Sequence, residues 1–262
     1  MITFLKLGGS LITDKNSPHT ARPDVIRRLA EEICSAWNPN KGPLLIGHGS
    51  GSFGHVPAKK YGTRQGVRTD AEWTGFAEVH AEATALNRIV TDILREAGLP
   101  ILSFVPMNCI RSQNGKVIGW DTSELKKCFD RHLIPLVFGD TIFDSSLGGT
   151  ILSTEDLFTY LCDDIQDPPR ILLAGLETGV WKDYPSNTEL LTTIPAQYSG
   201  DDSFIHGSAS TDVTGGMHEK VHLMQELVSR GKAESALIFS GFVSGNVLKA
   251  LEGCRIGTAI LK

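Results

Sequence analysis

Short apolar runs recur along the chain at 2–7, 43–47, 100–105, 134–138, 171–175, 236–240 and 256–261. Each is brief, dense in Val, Ile, Leu or Phe, and bounded by turn-forming residues. That is the pattern of strands buried on both faces. Between several of them the apolar spacing changes to a helical one. From Pro23 to Trp37, Val25, Ile26, Leu29, Ile33 and Trp37 fall on one face, with the proline at the tolerated start. Residues 72–97 carry Phe76, Val79, Ala83, Leu86, Val90, Ile93, Leu94 and Ala97 at the same spacing, ended by Gly98 and Pro100. Ser153-Thr154-Glu155-Asp156 has the form of a helix cap ahead of Leu157-Phe158, and 216–230 and 245–252 read as helices. Strands alternating with helices predict an α/β fold, a three-layer αβα sandwich around a largely parallel sheet. Asp167-Pro168-Pro169 punctuates the pattern. One domain over 1–262 is expected, with an N-terminal lobe of about 1–165 and a C-terminal lobe of about 166–262.

Composition narrows the function classes. Twenty-five Lys+Arg against 30 Asp+Glu give a net charge of −5, a poor balance for a nucleic-acid or membrane-surface binder. Any anionic ligand must be gathered by a local cluster of cations. The five cysteines are scattered without a C-x-x-C pair, and no apolar run approaches the ~18 residues that span a bilayer, so a cytoplasmic protein is expected.

Several segments carry candidate chemistry. Lys6-Leu7-Gly8-Gly9-Ser10 closes the first strand, where a lysine points into the crevice at the carboxyl edge of a parallel sheet. Lys15 is close enough in sequence to reach the same space. The second strand runs out into Gly47-His48-Gly49-Ser50-Gly51-Ser52-Phe53-Gly54-His55. Glycines there let backbone amides approach an anion, and the histidine adds a donor. Gly49-x-Gly51-x-x-Gly54 formally matches a dinucleotide fingerprint, but His55 and Pro57 fall where a tight packing turn belongs. Gly215-Gly216 leads into a helix whose first turn carries Lys220, an anion site by geometry. His218-Glu219-Lys220-Val221-His222 is a literal H-E-x-x-H, yet it starts at once after two glycines and has a lysine at its centre. The two histidines are expected to be surface helix residues. Ser153 to Asp156 caps a helix, and Asp156 is the candidate to hold two lysines in register. Gly175 to Pro185, with Trp181 and Asp183, follows a strand and suits either a nucleoside or a plain loop.

In order, these segments resemble the amino acid kinase family over essentially the whole chain. Lys6 to Ser10 and Asp212 to Lys220 are the most specific parts. Gly51-Ser52-Phe53-Gly54-His55 followed by Ala58-Lys59-Lys60-Tyr61, with Phe76-Ala77-Glu78-Val79-His80, is similar to the isopentenyl phosphate kinases within it. Ser50 stands where archaeal relatives often have glycine.

The resemblance implies ATP-dependent phosphorylation of a prenyl monophosphate by direct in-line transfer, with no P-loop and with Mg²⁺ carried on the nucleotide. It implies a homodimer. It gives catalytic roles to Lys6, Lys15, His55, Asp156 and Lys220. ATP falls to Lys6, Gly8, Gly9, Ser10, Gly51, Asp156, Gly175, Asp183, Gly215 and Lys220. The acceptor falls to Ser50, Gly54, His55 and Gly139, with Phe76 and Val79 walling the apolar tail; no metal ligand is assigned. A phosphonate kinase of the fosfomycin type and a non-catalytic nucleotide-binding protein are the alternatives.

Overall fold

A computed structural model describes residues 1–197 and 216–262. In chain order it opens with β1 (Thr3–Leu7), α1 (Gly9–Ile12), α2 (Pro23–Ala36), β2 (Leu44–His48), α3 (Gly51–Tyr61), α4 (Asp70–Glu96) and β3 (Ile101–Ser103). The middle holds β4 (Ile110–Gln113), β5 (Lys116–Trp120), α5 (Ser123–Asp130), β6 (Ile134–Phe138), β7 (Asp140–Asp144), β8 (Gly148–Leu152) and α6 (Thr154–Asp164). It ends with β9 (Arg170–Gly175), β10 (Val180–Trp181), β11 (Leu190–Leu191), β12 (Thr193–Pro195), α7 (Met217–Ser229), β13 (Ser235–Ser240), α8 (Asn246–Leu251) and β14 (Thr258–Leu261).

The main sheet has eight strands in the order β12-β14-β13-β9-β1-β2-β6-β3 among the described residues. Every neighbouring pair in it is parallel except β13 with β14. All seven apolar runs found in the sequence enter this sheet. β1 lies at its centre, pairing β2 on one side and β9 on the other, so one sheet runs through both halves of the chain.

Alternation along the buried strands builds two cores. Phe4, Leu45, Val137 and Ile171 face α5, α6 and α7 through Leu125, Phe158 and Met224. Leu5, Leu7, Ile46 and Leu172 face the other way, onto α1, α2, α4 and α8 through Leu11, Ile33, Val90 and Val247. Helices cover both faces, which completes the three-layer sandwich. A separate four-stranded sheet, β5-β4-β7-β8, lies beside it.

Two loops at the carboxyl edge are locked together by glycine. A Cβ on Gly9 would sit 2.5 Å from the Gly51 nitrogen, and Gly51 itself has φ of +50°. Thr13 stitches the same junction: its hydroxyl donates to the Gly9 carbonyl at 2.7 Å and accepts from the Ser52 amide at 2.9 Å. The starts of α1 and α3 are therefore held side by side, and the first N–H groups of a helix have no intrahelical acceptor.

Candidate active site

A cavity of about 640 Å³ opens at the carboxyl ends of β1, β2, β6 and β9. Lys6, Gly8, Gly9, Ser10, Lys15, Ser50, Gly51, His55, Gly139, Gly175 and Lys220 all line it. The cations gathered from four separate segments thus share one space. Two further lysines, Lys59 and Lys60, join them on α3. Lys59 lies four residues past His55 and so on the same helix face. The other end of the cavity is apolar and aromatic, with Leu176, Val180, Trp181, Tyr184, Ile238 and Phe239.

Lys6 is 9 % exposed, and its ammonium ion-pairs with Glu155, itself 6 % exposed. Burial alone would raise the Glu155 carboxyl. The charges of Lys6 and Lys220 outweigh it and hold Glu155 below the ordinary carboxylate value. The acid between the two lysines is therefore Glu155. Asp156, given that role on the sequence, instead turns back on its own helix. Its carboxylate accepts from the Ser153 amide and hydroxyl, each at 2.7 Å, while the Ser153 hydroxyl caps the Asp156 amide at 3.2 Å. The Arg64 guanidinium lies 3.9 Å from it. The capping box fixes the division of labour: the third residue of the helix bends toward the cap, and its neighbour Glu155 stays available to the cavity.

Behind Lys6, His48 is fully buried. Burial lowers its pKa, with the Lys6 charge adding to that, against the hydrogen bonds to the Gly49 carbonyl and Asn87. Its Nε2 lies 3.2 Å from the Asn87 side-chain oxygen and its ring stacks on Phe138. A neutral imidazole there adds no second charge beside the lysine.

Other expected residues lie elsewhere. Gly54 packs against Ser50 inside α3, where an added Cβ would sit 2.6 Å from the serine hydroxyl. Asp183 closes the turn to 189, accepting from the Thr188 and Glu189 amides, and is absent from the cavity lining. Phe76 and Val79 are buried at 5 % and 2 % exposure, with Phe76 packed on Trp73 and Phe143, and neither lines the cavity. Gly215 lies outside the described residues. Glu155, Lys59 and Lys60 went unassigned on the sequence. Reading 51–61 as a helix would have found Lys59 through its spacing from His55.

An amide-rich, lysine-lined crevice at the edge of a mostly parallel sheet defines a binder of phosphorylated compounds. The chain belongs to the amino acid kinase family, which it matches over residues 1–240. Within that family it is similar to isopentenyl phosphate kinases. That of Methanocaldococcus jannaschii is 33% identical over 270 residues, covering 99% of this chain and 98% of that protein. That of Methanothermobacter thermautotrophicus is 32% identical over 266 residues, covering 98% of each. An X-ray structure of isopentenyl phosphate kinase superposes with a TM-score of 0.83 at 29% identity, covering 99% of this chain and 100% of that one.

Proposed function

We propose that the chain transfers the terminal phosphoryl group of ATP to isopentenyl phosphate, giving isopentenyl diphosphate. The observation that carries this reading is that Lys6, Lys220 and His55 line one cavity. Two anions must be brought head to head, and a dense set of cationic and amide donors is what offsets their repulsion.

In this reading Lys6 and Lys220 hold the transferring group and the ATP phosphates, with Glu155 setting the spacing of the two ammonium groups. The amides opening α1, at Gly9 and Ser10, add donors to the same phosphates. His55 and the amides of Ser50 and Gly51 hold the acceptor phosphate. Lys15, exposed at the cavity rim, reaches the charge that develops in transfer. No general base is required, because a phosphate monoester is largely ionised at pH 7. The aromatic end, at Trp181 and Tyr184, suits the nucleoside, which puts the acceptor in the N-terminal half and the nucleotide in the C-terminal half.

Among the described residues no group of three or more His, Cys, Asp or Glu side chains converges to hold a metal. In this reading Mg²⁺ travels on the nucleotide oxygens, where it would neutralise phosphate charge. No helix among the described residues is long and apolar enough to cross a membrane. The family resemblance also supports a homodimer in the cytoplasm.

The test is an ATP-dependent assay over isopentenyl phosphate, other short prenyl monophosphates and fosfomycin. Turnover of the prenyl compounds supports the reading. Turnover of fosfomycin alone, or ATP binding with no transfer to any acceptor, overturns it.

A further inference from the structure

The two histidines of the H-E-x-x-H segment of α7 play no part in the reaction proposed above, and their geometry is distinctive. His218 and His222 are one helical turn apart, so their side chains share a face. Their Nε2 atoms lie 3.1 Å apart, with ring centroids 4.3 Å apart and planes inclined by 72°. Imidazole nitrogens bind divalent zinc at about 2.0–2.1 Å, so two adjacent ligands on one ion stand roughly 3.0–3.4 Å apart. The observed separation falls in that interval without any movement of the helix.

We propose that His218 and His222 form a two-imidazole chelate for a first-row divalent transition ion of the Zn²⁺, Cu²⁺ and Ni²⁺ class. Imidazole selects these ions over Mg²⁺, which prefers oxygen ligands and keeps its water. In the ion-free pair the two Nε2 atoms stand within hydrogen-bond distance of each other. On binding, both rings rotate so that their Nε2 lone pairs meet at the ion, and a proton carried on Nε2 moves to the same ring's Nδ1, so no proton is lost overall. No third His, Cys, Asp or Glu converges among the described residues. A chelate of two imidazoles differs in kind from a catalytic zinc centre, whose metal has three protein ligands.

The position gives the chelate a consequence. Both histidines line a second hollow of about 950 Å³ that shares Ser153, Glu155 and Lys220 with the main cavity. Lys220 sits between the two ligands in sequence. An ion bridging 218 and 222 staples the first turns of the helix that presents Lys220.

The test uses tag-free, metal-stripped protein titrated with ZnCl₂ and CuCl₂. Calorimetry should give one ion per chain, and the Cu²⁺-loaded protein should show hyperfine coupling to two nitrogens in electron paramagnetic resonance. Zn²⁺ should raise the melting temperature. His218→Gln and His222→Gln should each abolish this ion as fully as the double variant does, whereas His132→Gln, at an exposed histidine in the turn after α5, should keep it. Unchanged binding in the double variant, coupling to a single nitrogen, or no binding by the wild type would overturn the proposal. Circular dichroism of each variant separates a lost ligand from a lost fold.

Discussion

Replacing Glu155 by Gln separates the two adjacent acids at the start of α6 and tests which of them organises the lysines. Glu155 and Lys6 are 6 % and 9 % exposed, so the change leaves an ammonium in a nearly dry position beside a neutral amide. Removing one partner of a buried pair costs about 3–5 kcal/mol. The glutamine oxygen still accepts from Lys6, which puts the cost near the lower end. At about 2–4 °C per kcal/mol for a chain near this size, the melting temperature should fall by roughly 6–12 °C. Catalysis should suffer as well, because displacing a phosphate-holding ammonium by about 1 Å can cost ~10²-fold in rate. Asp156→Ala removes only half of a capping box and should cost at most about 1–2 kcal/mol, with kcat/KM changed by less than about threefold. Differential scanning calorimetry and a coupled assay read both variants. The pH dependence gives a third readout. Glu155 titrates below its ordinary value of 4.5, so its contribution is complete above that value and is lost as pH falls through the lower folded one. E155Q should lack that acid limb. A stable, fully active E155Q beside a crippled D156A would refute the assignment.

Three further outcomes follow from the same structure. His80 donates from Nδ1 to the buried Asp140 carboxylate at 3.0 and 3.1 Å, and that bond raises its pKa against the effect of burial. Its stabilising contribution is complete below the ordinary 6.5 and lost as pH rises through the raised value, so thermal scans from pH 6 to 9 should show a decline that His80→Asn lacks. Gly9→Ala pushes a methyl group to 2.5 Å from the Gly51 nitrogen. Backbone must move, so a loss of about 1–3 kcal/mol and most of the activity is expected; wild-type stability and turnover would contradict the close-approach argument. Lys59→Ala with Lys60→Ala should raise KM for the acceptor more than it lowers kcat, and the effect should shrink with added salt as these exposed charges are screened.

Strands buried on both faces were legible because β1, β2, β6 and β9 are nearly unbroken apolar runs, and two-sided burial leaves no other pattern for them. The helix α3 was not. Gly51, Gly54 and Pro57 each oppose a helix locally, yet Phe53 and Ala58 are buried at 2 % and 4 % exposure. Packing overrides propensity there, as it does where Gly75 admits Tyr61: a Cβ on Gly75 would meet that ring at 2.1 Å. The strands β4, β5, β7 and β8 were missed because short, half-polar segments such as Arg111-Ser112-Gln113 lack a period of their own. At the site, the glycine loops and lysines were readable from type and order. The choice between Glu155 and Asp156 was not, because both acids suit the first turn and only the capping geometry assigns one to the helix and one to the cavity.

The most direct measurement of the whole account follows ³²P from labelled ATP into isopentenyl phosphate, with wild-type protein beside His55→Ala and Lys6→Ala. The account predicts labelled isopentenyl diphosphate from the wild type, a raised acceptor KM in H55A, and loss of transfer in K6A. No labelled diphosphate from the wild type, or equal rates in all three proteins, would contradict the claim that these groups bring two anionic reactants together.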